Sequence, residues 1–319
     1  MKKTLKVLAA VLALCILCAA FSGCSKTGKK TIGIIQFGPH GSLNNCYDGI
    51  MKGLEEAGIN LDDYEVEYVN SNFDPSVSQT QAQNLVNKKA SVIIAIATPS
   101  AIAAANAAAD KDVPVVFCAI TDPTTMANYP NVTGSSDVPN FDKQLEVVTA
   151  FMNKTDLKIG VMYSTEESSS PYMIEKIKEA AQKYDGMEIL DRAIADITTI
   201  DTVTTELISA GADCFVNILD NTVVGKLESN ILPLTNEAGI PVFGSEIEQV
   251  KIGCVASASI EYIDVGRAAG KAAAEILNGK SAGDIPVATI TEPENFYNSE
   301  ACKALNLTVP ATLTVTDVK

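Results

Sequence analysis

Hydroxyl and acidic residues in this chain fall at the ends of apolar runs, where they could offer donors to an anionic group and acceptors to a cationic one. Thr98-Pro99-Ser100 follows an apolar run over 92–97, and Ser42 follows one over 31–37. A hydroxyl at the start of a helix, backed by the unpaired N–H groups of the first turn, is a donor set for a carboxylate. Asp122, Asp220 and Glu246 end three further runs. A carboxylate taken out of water makes a strong charge-assisted hydrogen bond to an ammonium group. Taken alone, each of Thr98, Ser42 and Asp220 reads equally well as a helix cap. Ser164 and Ser245 occupy the same point of later units, and this common location favours a ligand for the set.

The elements that must position these residues repeat one device. Over 91–123 an apolar run is followed by Thr98 as a cap, Pro99 as a first helical residue and an alanine-rich helix to about 109; a second run from 114 ends in Thr121-Asp122-Pro123. Continuous apolar runs suit parallel strands covered on both faces. Pro is at home in a first helical turn, whose N–H groups are unpaired anyway. The polar turns then lie at the carboxyl ends of neighbouring parallel strands, the edge where open α/β sheets bind ligands. The same reading gives a strand over 31–37, a helix over 43–57 capped by Ser42, a strand over 64–69, a helix over 75–88 capped by Asp74, and a short strand over 131–134. The pattern restarts with a helix over 140–152. Strands follow over 158–163, 188–193, 213–219, 241–244 and 253–259, with helices between them that include one from 222 to about 239. A helix over 261–278, a strand over 285–290 and a short helix over 298–305 complete the chain. Two runs of β-α units imply two α/β lobes, each with a parallel sheet. No low-complexity linker divides them, so a tight hinge is expected and the facing strand edges would enclose one polar cleft.

A length of 319 residues fits two domains, and 47% apolar with 20% charged residues is ordinary for a folded chain. The net charge of −15, with no basic run past the N-terminus, excludes nucleic acid as a partner. Lys2, Lys3 and Lys6 precede an apolar core over 5–20 that ends in Phe21-Ser22-Gly23-Cys24. This is a secretory signal, too short for a membrane span. It resembles a bacterial lipoprotein signal, with Phe21 where Leu is usual, and that resemblance makes Cys24 the lipid-bearing N-terminus of the mature protein. Residues 25–30 read as a tether. Removing the signal takes away three positive charges, so −15 becomes −18. Past Cys24 there remain Cys46, Cys118, Cys214, Cys254 and Cys302, an odd number at wide spacing. They read as buried free thiols rather than as metal ligands, which would want close pairs. Free thiols in an exported protein suggest an anaerobic or weakly oxidising setting.

Several short pieces, in order, carry a family resemblance. They are Ile34-Ile35-Gln36-Phe37 with His40-Gly41-Ser42-Leu43, Ala95-Ile96-Ala97-Thr98-Pro99, Thr121-Asp122-Pro123, and Asn131-Val132-Thr133-Gly134. Later come Tyr163-Ser164 with Glu166 and Ser169, Asp220-Asn221-Thr222, Ser245-Glu246, and Asn298, Ala304, Leu305 and Pro310. From about 30 to 310 the chain resembles the substrate-binding lipoproteins of ABC importers, in the group that includes tryptophan- and tyrosine-binding proteins. The resemblance implies two Rossmann-like lobes with parallel sheets joined by a three-segment hinge, the type I periplasmic-binding-protein fold. Crossings are expected near Ser136, Ala256 and Gly283. Lobe 1 is then 31–136 plus 257–283, and lobe 2 is 137–256 plus 284–319, with helix 261–278 on the first lobe and strand 285–290 in the second. The resemblance assigns ligand contacts to Gln36, His40, Ser42, Leu43, Thr98, Pro99, Ser100, Thr121 and Asp122. In the second lobe it assigns them to Tyr163, Ser164, Glu166, Ser169, Asp220, Asn221, Ser245 and Glu246. It implies an ABC permease and a separate ATPase as partners, attachment to the membrane through Cys24, and an aromatic amino acid such as tryptophan, tyrosine or phenylalanine as ligand. Three departures bear on the ligand more than on the fold: His40-Gly41-Ser42-Leu43-Asn44 for His-Pro-Ser-Leu-Asp, Glu261-Tyr262 for Asp-Tyr, and the run from Gly253 to Ser259 for Gly-Ala-Leu-Ala.

Rival chemistry finds little support. Gly279-Lys280-Ser281 lacks the first glycine of a phosphate-binding loop, since position 274 is Ala, and it follows a helix. No nucleotide cofactor is therefore expected. His40 is the only histidine and no G-x-S-x-G elbow is present, which argues against an enzyme. A lone His argues against a metal site. Phe37, Tyr163, Tyr172 and Tyr262 are aromatic candidates for the cleft, with Phe37 better read as core. A sugar or nucleoside ligand on the same fold remains open, as does a sensor subunit that reports its ligand state to a membrane receptor.

Overall fold

Val92–Ile96 (β3) and Val115–Ile120 (β4) are buried at every residue, as strands covered on both faces must be. They form the middle of a six-stranded sheet with Lys30–Gln36 (β1), Tyr64–Asn70 (β2), Val132–Ser136 (β5) and Ala288–Thr289 (β11), in the order β11-β5-β4-β3-β1-β2. The registered pairs β1–β3, β3–β4, β4–β5 and β5–β11 are all parallel. Helices Gly41–Glu56 (α1) and Tyr262–Leu277 (α10) share one apolar core with one face. Pro75–Asn87 (α2) and Thr98–Ala108 (α3) share another core with the opposite face. The second half repeats the plan. Lys158–Ser164 (β6), Glu188–Ile194 (β7), Cys214–Val216 (β8) and Val242–Phe243 (β9) form a parallel sheet in the order β7-β6-β8-β9. Phe141–Met152 (α4), Ser170–Ala181 (α5) and Ile200–Ser209 (α6) supply apolar residues to its two cores. Ala256–Ser259 (β10), Glu294–Tyr297 (β12) and Thr316–Asp317 (β13) make a three-stranded sheet. It adjoins β9 through Gly244 N–H to the Ala256 carbonyl at 3.0 Å.

This computed structural model describes residues 28–290 and 292–319. The signal segment and Cys24 lie outside the described residues, as do 25–27 of the tether. Residues 31–319 form one compact unit, and of the preceding unit only 28–30 are described. Among the described residues no helix is long and apolar enough to cross a membrane.

Three expectations need correction. The run over 285–290 pairs only at Ala288–Thr289, and it pairs with Ser135–Ser136 at the edge of the first sheet, not in the second. Pro286 has no N–H to give a ladder. Ile285 is buried in the first core, and its carbonyl accepts the Thr133 hydroxyl at 2.7 Å. Second, β10 pairs antiparallel with β12. The chain therefore stays with the second half through Ser259, past the crossing expected near Ala256, and has rejoined it by Glu294, past the one expected near Gly283. Third, the helix expected over 222–239 is broken into Asn221–Val224 (α7), a wide turn over Leu227–Ile231 and Leu232–Glu237 (α8). Pro233 removes a helical N–H, and the chain absorbs the loss with an i→i+5 bond, Ile231 N–H to the Lys226 carbonyl at 3.3 Å. Among the described residues the remaining α-helices are Ile247–Lys251 (α9) and Ser299–Ala304 (α11).

One contact fixes the first half. α1 carries Gly49 and Gly53, and α10 carries Gly266 and Gly270. A Cβ on any of the four would lie 2.1–2.3 Å from a carbonyl oxygen of the other helix. Only hydrogen fits there, so the two backbones touch, and the N-termini of both helices are held at one end of the sheet.

Candidate ligand-binding site

The carboxyl ends of the two parallel sheets face each other across a narrow cavity. From the first half, α1 brings His40, Ser42 and Leu43. The end of β4 brings Ala119 and Thr121, the end of β5 brings Asp137, and the start of α10 brings Tyr262. From the second half, Leu219, Asn221 and Val224 follow β8, while Glu246 and Gln249 follow β9. An outer groove shares His40, Val224, Glu246 and Gln249 with this cavity and forms its mouth.

Local backbone chemistry aims these side chains. β4 ends in a bulge between Cys118 and Ile120. The extra residue, Ala119, has φ +58°, a left-handed value that costs an alanine energy. Ala97 on the next strand end has φ +76°. These neighbouring irregularities turn the chain out of the sheet at the cavity edge. α1 begins at Gly41 with His40 as its flanking residue and no side-chain cap. Ser42 is therefore not the cap expected of it, because the helix starts before it, and its hydroxyl is buried at the cavity with no partner. Thr98 likewise lies inside its helix rather than capping it.

Two buried carboxylates line the cavity. Asp137 accepts the Tyr262 hydroxyl at 2.7 Å and the Thr121 hydroxyl at 3.2 Å. Burial raises its pKa above the usual carboxylate value, and these two donors oppose the shift. Glu246 accepts the Glu248 N–H at 2.9 Å. Burial pushes it up to about 7, and the nearby Ser42 hydroxyl and the backbone N–H groups of Glu248 and Gln249 oppose the rise. Around them stand buried polar atoms with no partner: Ser42 Oγ, Gln249 Nε2 and His40 Nδ1. Gln249 is fixed by its other end, where Oε1 accepts from Asn217 Nδ2 and the Ser245 N–H, both at 3.1 Å. Such groups are normally paired, so a ligand with one ammonium, one carboxylate and further polar atoms would complete the set. Direct bonds also join the two halves across the cleft: His40 Nε2 to Asn221 Oδ1 at 3.1 Å, and Asn45 Nδ2 to Glu248 Oε1 at 2.9 Å.

Of the residues expected here, His40, Ser42, Leu43, Thr121, Asn221 and Glu246 line the cavity. Ser245 lines an adjoining small pocket that shares Asp137, Leu219 and Tyr262. The others lie elsewhere. Asp122 caps the turn Pro123–Met126, accepting the Thr124 N–H at 3.0 Å. Asp220 is buried and saturated by the Ser164 N–H at 2.6 Å, the Ser170 hydroxyl at 2.7 Å and the Val223 N–H at 3.0 Å. Thr98, Pro99 and Ser100 are buried in α3, and Ser100 faces Ser78 at 3.3 Å. Gln36 spans Gly38 and Asn44 behind α1. Tyr163 packs on the second core, and Ser164 takes the Glu166 N–H. Glu166 is exposed, whereas Glu167 is the buried acid, receiving the Ser169 hydroxyl at 3.1 Å and Asn221 Nδ2 at 2.9 Å. Burial and the nearby Asp220 charge push Glu167 up to about 8. Asp137 and Gln249 were missed. A signal for Asp137 existed in its place after Ser135-Ser136 at a strand end; Gln249 gives none, since it is one polar residue of a short helix. Tyr262 was read as an aromatic candidate only, and its hydroxyl proves to serve Asp137.

A family model for ABC transporter substrate-binding proteins matches residues 31–319. A tyrosine-binding protein of Clostridioides difficile is 34% identical over 287 residues, covering 88% of this chain and 81% of that protein. Among solved structures, an ABC domain from Streptococcus pneumonia in complex with L-Trp is 29% identical with a TM-score of 0.83, over 90% of this chain and 97% of the other. A ligand-free, open structure of a substrate-binding protein with adhesive properties from Clostridium difficile is 31% identical with a TM-score of 0.67, over 91% and 99%.

Proposed function

The chain belongs to the ABC transporter substrate-binding protein family, and from that premise we propose that it captures one aromatic amino acid between its two sheets and presents it to a permease. Membership makes it an extracytoplasmic component of transport that binds its substrate rather than converting it. The observation that carries the ligand class is the cavity itself: two buried carboxylates beside unpartnered Ser42 Oγ and Gln249 Nε2. Glu246 and Asp137 take the ammonium. Ser42 and Gln249 donate to the carboxylate. Leu43, Leu219 and Val224 offer apolar surface to the ring. The names of the two relatives, one tyrosine-binding and one holding L-Trp, support the same class.

The present arrangement is the closed one in this reading. The chain matches the L-Trp complex at a TM-score of 0.83 and the open structure at 0.67, although its identity to the open one is higher. Two rigid lobes, 31–136 with 262–289 and 141–259 with 294–319, would move about the three crossings. Closure is the output that a permease recognises, with a separate ATPase supplying energy. A lipid on Cys24 would tether the protein to the cell membrane; Cys24→Ser in the full chain should move it from the membrane to the soluble fraction, and retention would refute the anchor.

A thermal-shift screen of residues 25–319 against amino acids, nucleosides and sugars tests the ligand class. A ligand that binds only the folded state raises the melting temperature by mass action, by about 2.7 kcal/mol of stability at a hundredfold excess over Kd. A rise with aromatic amino acids is expected. A rise confined to sugars or nucleosides would overturn the reading.

A further inference from the structure

We infer that His40 presents a bare imidazole acceptor to the ligand, so that the site selects aromatic amino acids with a side-chain hydrogen-bond donor, a phenol or an indole, over phenylalanine. The inference rests on the aromatic amino acid reading above and names a residue that sets its specificity. Its basis is a chain of hydrogen bonds with one consistent direction. Asn221 Nδ2 donates to Glu167 Oε2 at 2.9 Å, while the Ser169 hydroxyl meets Glu167 Oε1 at 3.1 Å. Ionised, Glu167 accepts at both oxygens; protonated on Oε1, with that proton received by the Ser169 oxygen, it still accepts at Oε2. The amide of Asn221 is therefore oriented, and its Oδ1 is the atom that faces His40 Nε2 at 3.1 Å. A carbonyl oxygen only accepts, so Nε2 carries the ring proton.

Burial holds the His40 pKa down, to about 4, and the ring is neutral at physiological pH. A neutral imidazole has one N–H. Nδ1 is then a lone pair, buried without a partner on a residue that lines the cavity. The ring cannot easily turn to spend that lone pair elsewhere: Phe73 lies parallel to it, 2° from coplanar at 6.3 Å between centroids. Phe73 in turn is wedged against Gly38 and Gly225. Charge decides which ligand atom reaches His40. The ammonium goes to the carboxylates of Glu246 and Asp137, which outbid a neutral ring. His40 is left for a neutral donor, and tyrosine and tryptophan have one where phenylalanine has none. A site built to receive an O–H or N–H penalises the analogue that leaves its buried acceptor unpaired.

Calorimetric titration of the 25–319 protein with L-tyrosine, L-tryptophan, L-phenylalanine and O-methyl-L-tyrosine tests this. The tighter of tyrosine and tryptophan should bind about ten- to a hundredfold better than phenylalanine, the range set by one unpaired buried acceptor. O-methyl-L-tyrosine, which cannot donate, should fall to the phenylalanine level, a result that needs no variant to fold. His40→Leu should compress the ratio to within about threefold, since its side chain has no acceptor to leave unpaired. Phenylalanine binding the wild-type protein as well as both others would overturn the selection by His40 and leave the aromatic reading standing. No binding by any of the four would instead overturn the aromatic reading itself.

Discussion

Asp220 and Glu246 are the same chemistry in two settings. Both are buried, both follow a strand of the second sheet, and both flank a short helix. Asp220 accepts two backbone N–H groups and a hydroxyl. Its oxygens join the Ser164 turn, α5 and α7, and nothing is left to offer a ligand. Glu246 accepts one N–H within its own turn, has the Ser42 hydroxyl beside it, and opens onto the cavity. Asp137 stands between them, with two side-chain hydroxyls as donors and no helix to hold. A carboxylate filled by backbone donors is a joint. One only partly filled, with unpartnered neighbours, is a receptor. Counting donors separates the two where residue type and position cannot.

The comparison predicts opposite phenotypes, and the largest effect belongs to the joint. Asp220→Ala would strand buried N–H groups in two loops at once, and should cost about 3 kcal/mol or more in urea unfolding. A loss under about 1 kcal/mol would mean that the bonds to Asp220 do not hold the fold. Glu246→Gln should do the reverse. Removing a charge from a site that disfavours it leaves the unliganded protein as stable or more so. Amino acid affinity should fall by about thirtyfold or more, as a charge-assisted bond becomes a neutral one. Equal affinity in the two proteins would remove Glu246 from the receptor class.

Glu167 sharpens the comparison through pH. Its folded pKa of about 8 lies above the unfolded value of 4.5, and Glu246 follows the same course to about 7. The folded state then holds more protons than the unfolded one between pH 4.5 and 8. Stability of the ligand-free protein must fall as pH rises through that window, at up to about 1.4 kcal/mol per pH unit for each group. His40, held down to about 4 by burial, acts the opposite way below pH 6.5 and offsets one of the two acids there, and exposed caps such as Asp74 and Asp196, with lowered pKa values, do so below pH 4. Urea midpoints from pH 5 to 8 should decline, and Glu167→Gln should flatten the decline. A flat wild-type profile would refute the burial cost assigned to these acids.

Much of the fold was legible because apolar runs, caps and prolines act locally. β3, α3 and β4 stand within a residue or so of where the pattern of 91–123 puts them. What escaped depends on distant partners. Strand 288–289 joins the first sheet because Ile285 is buried there and Thr133 holds its carbonyl, contacts made with residues about 150 positions away. The four glycines of α1 and α10 matter only because the two helices meet. The site was half legible for the same reason. Strand-end position and the family resemblance together named Ser42, His40, Thr121, Asn221 and Glu246, which line the cavity. It could not tell Glu166 from Glu167, adjacent acids of which one faces solvent and one the interior.

Asp122 is the sharpest case, and the smallest effect. Its place after Thr121 in a polar strand exit made it one of three acidic candidates for the site. The chain turns one residue too early for that: Thr121 points inward to Asp137, and Asp122 takes the N–H and hydroxyl of Thr124 at the start of a short turn. Asp122→Ala should therefore leave amino acid affinity within about twofold, the range of a surface change away from the site. Asp137→Asn, fifteen positions later, should lower that affinity severalfold. If Asp122→Ala abolished binding while Asp137→Asn did not, the carboxylate at the end of β4, not β5, would be the receptor. The rule that donor count separates joints from receptors would then fail at its first independent trial.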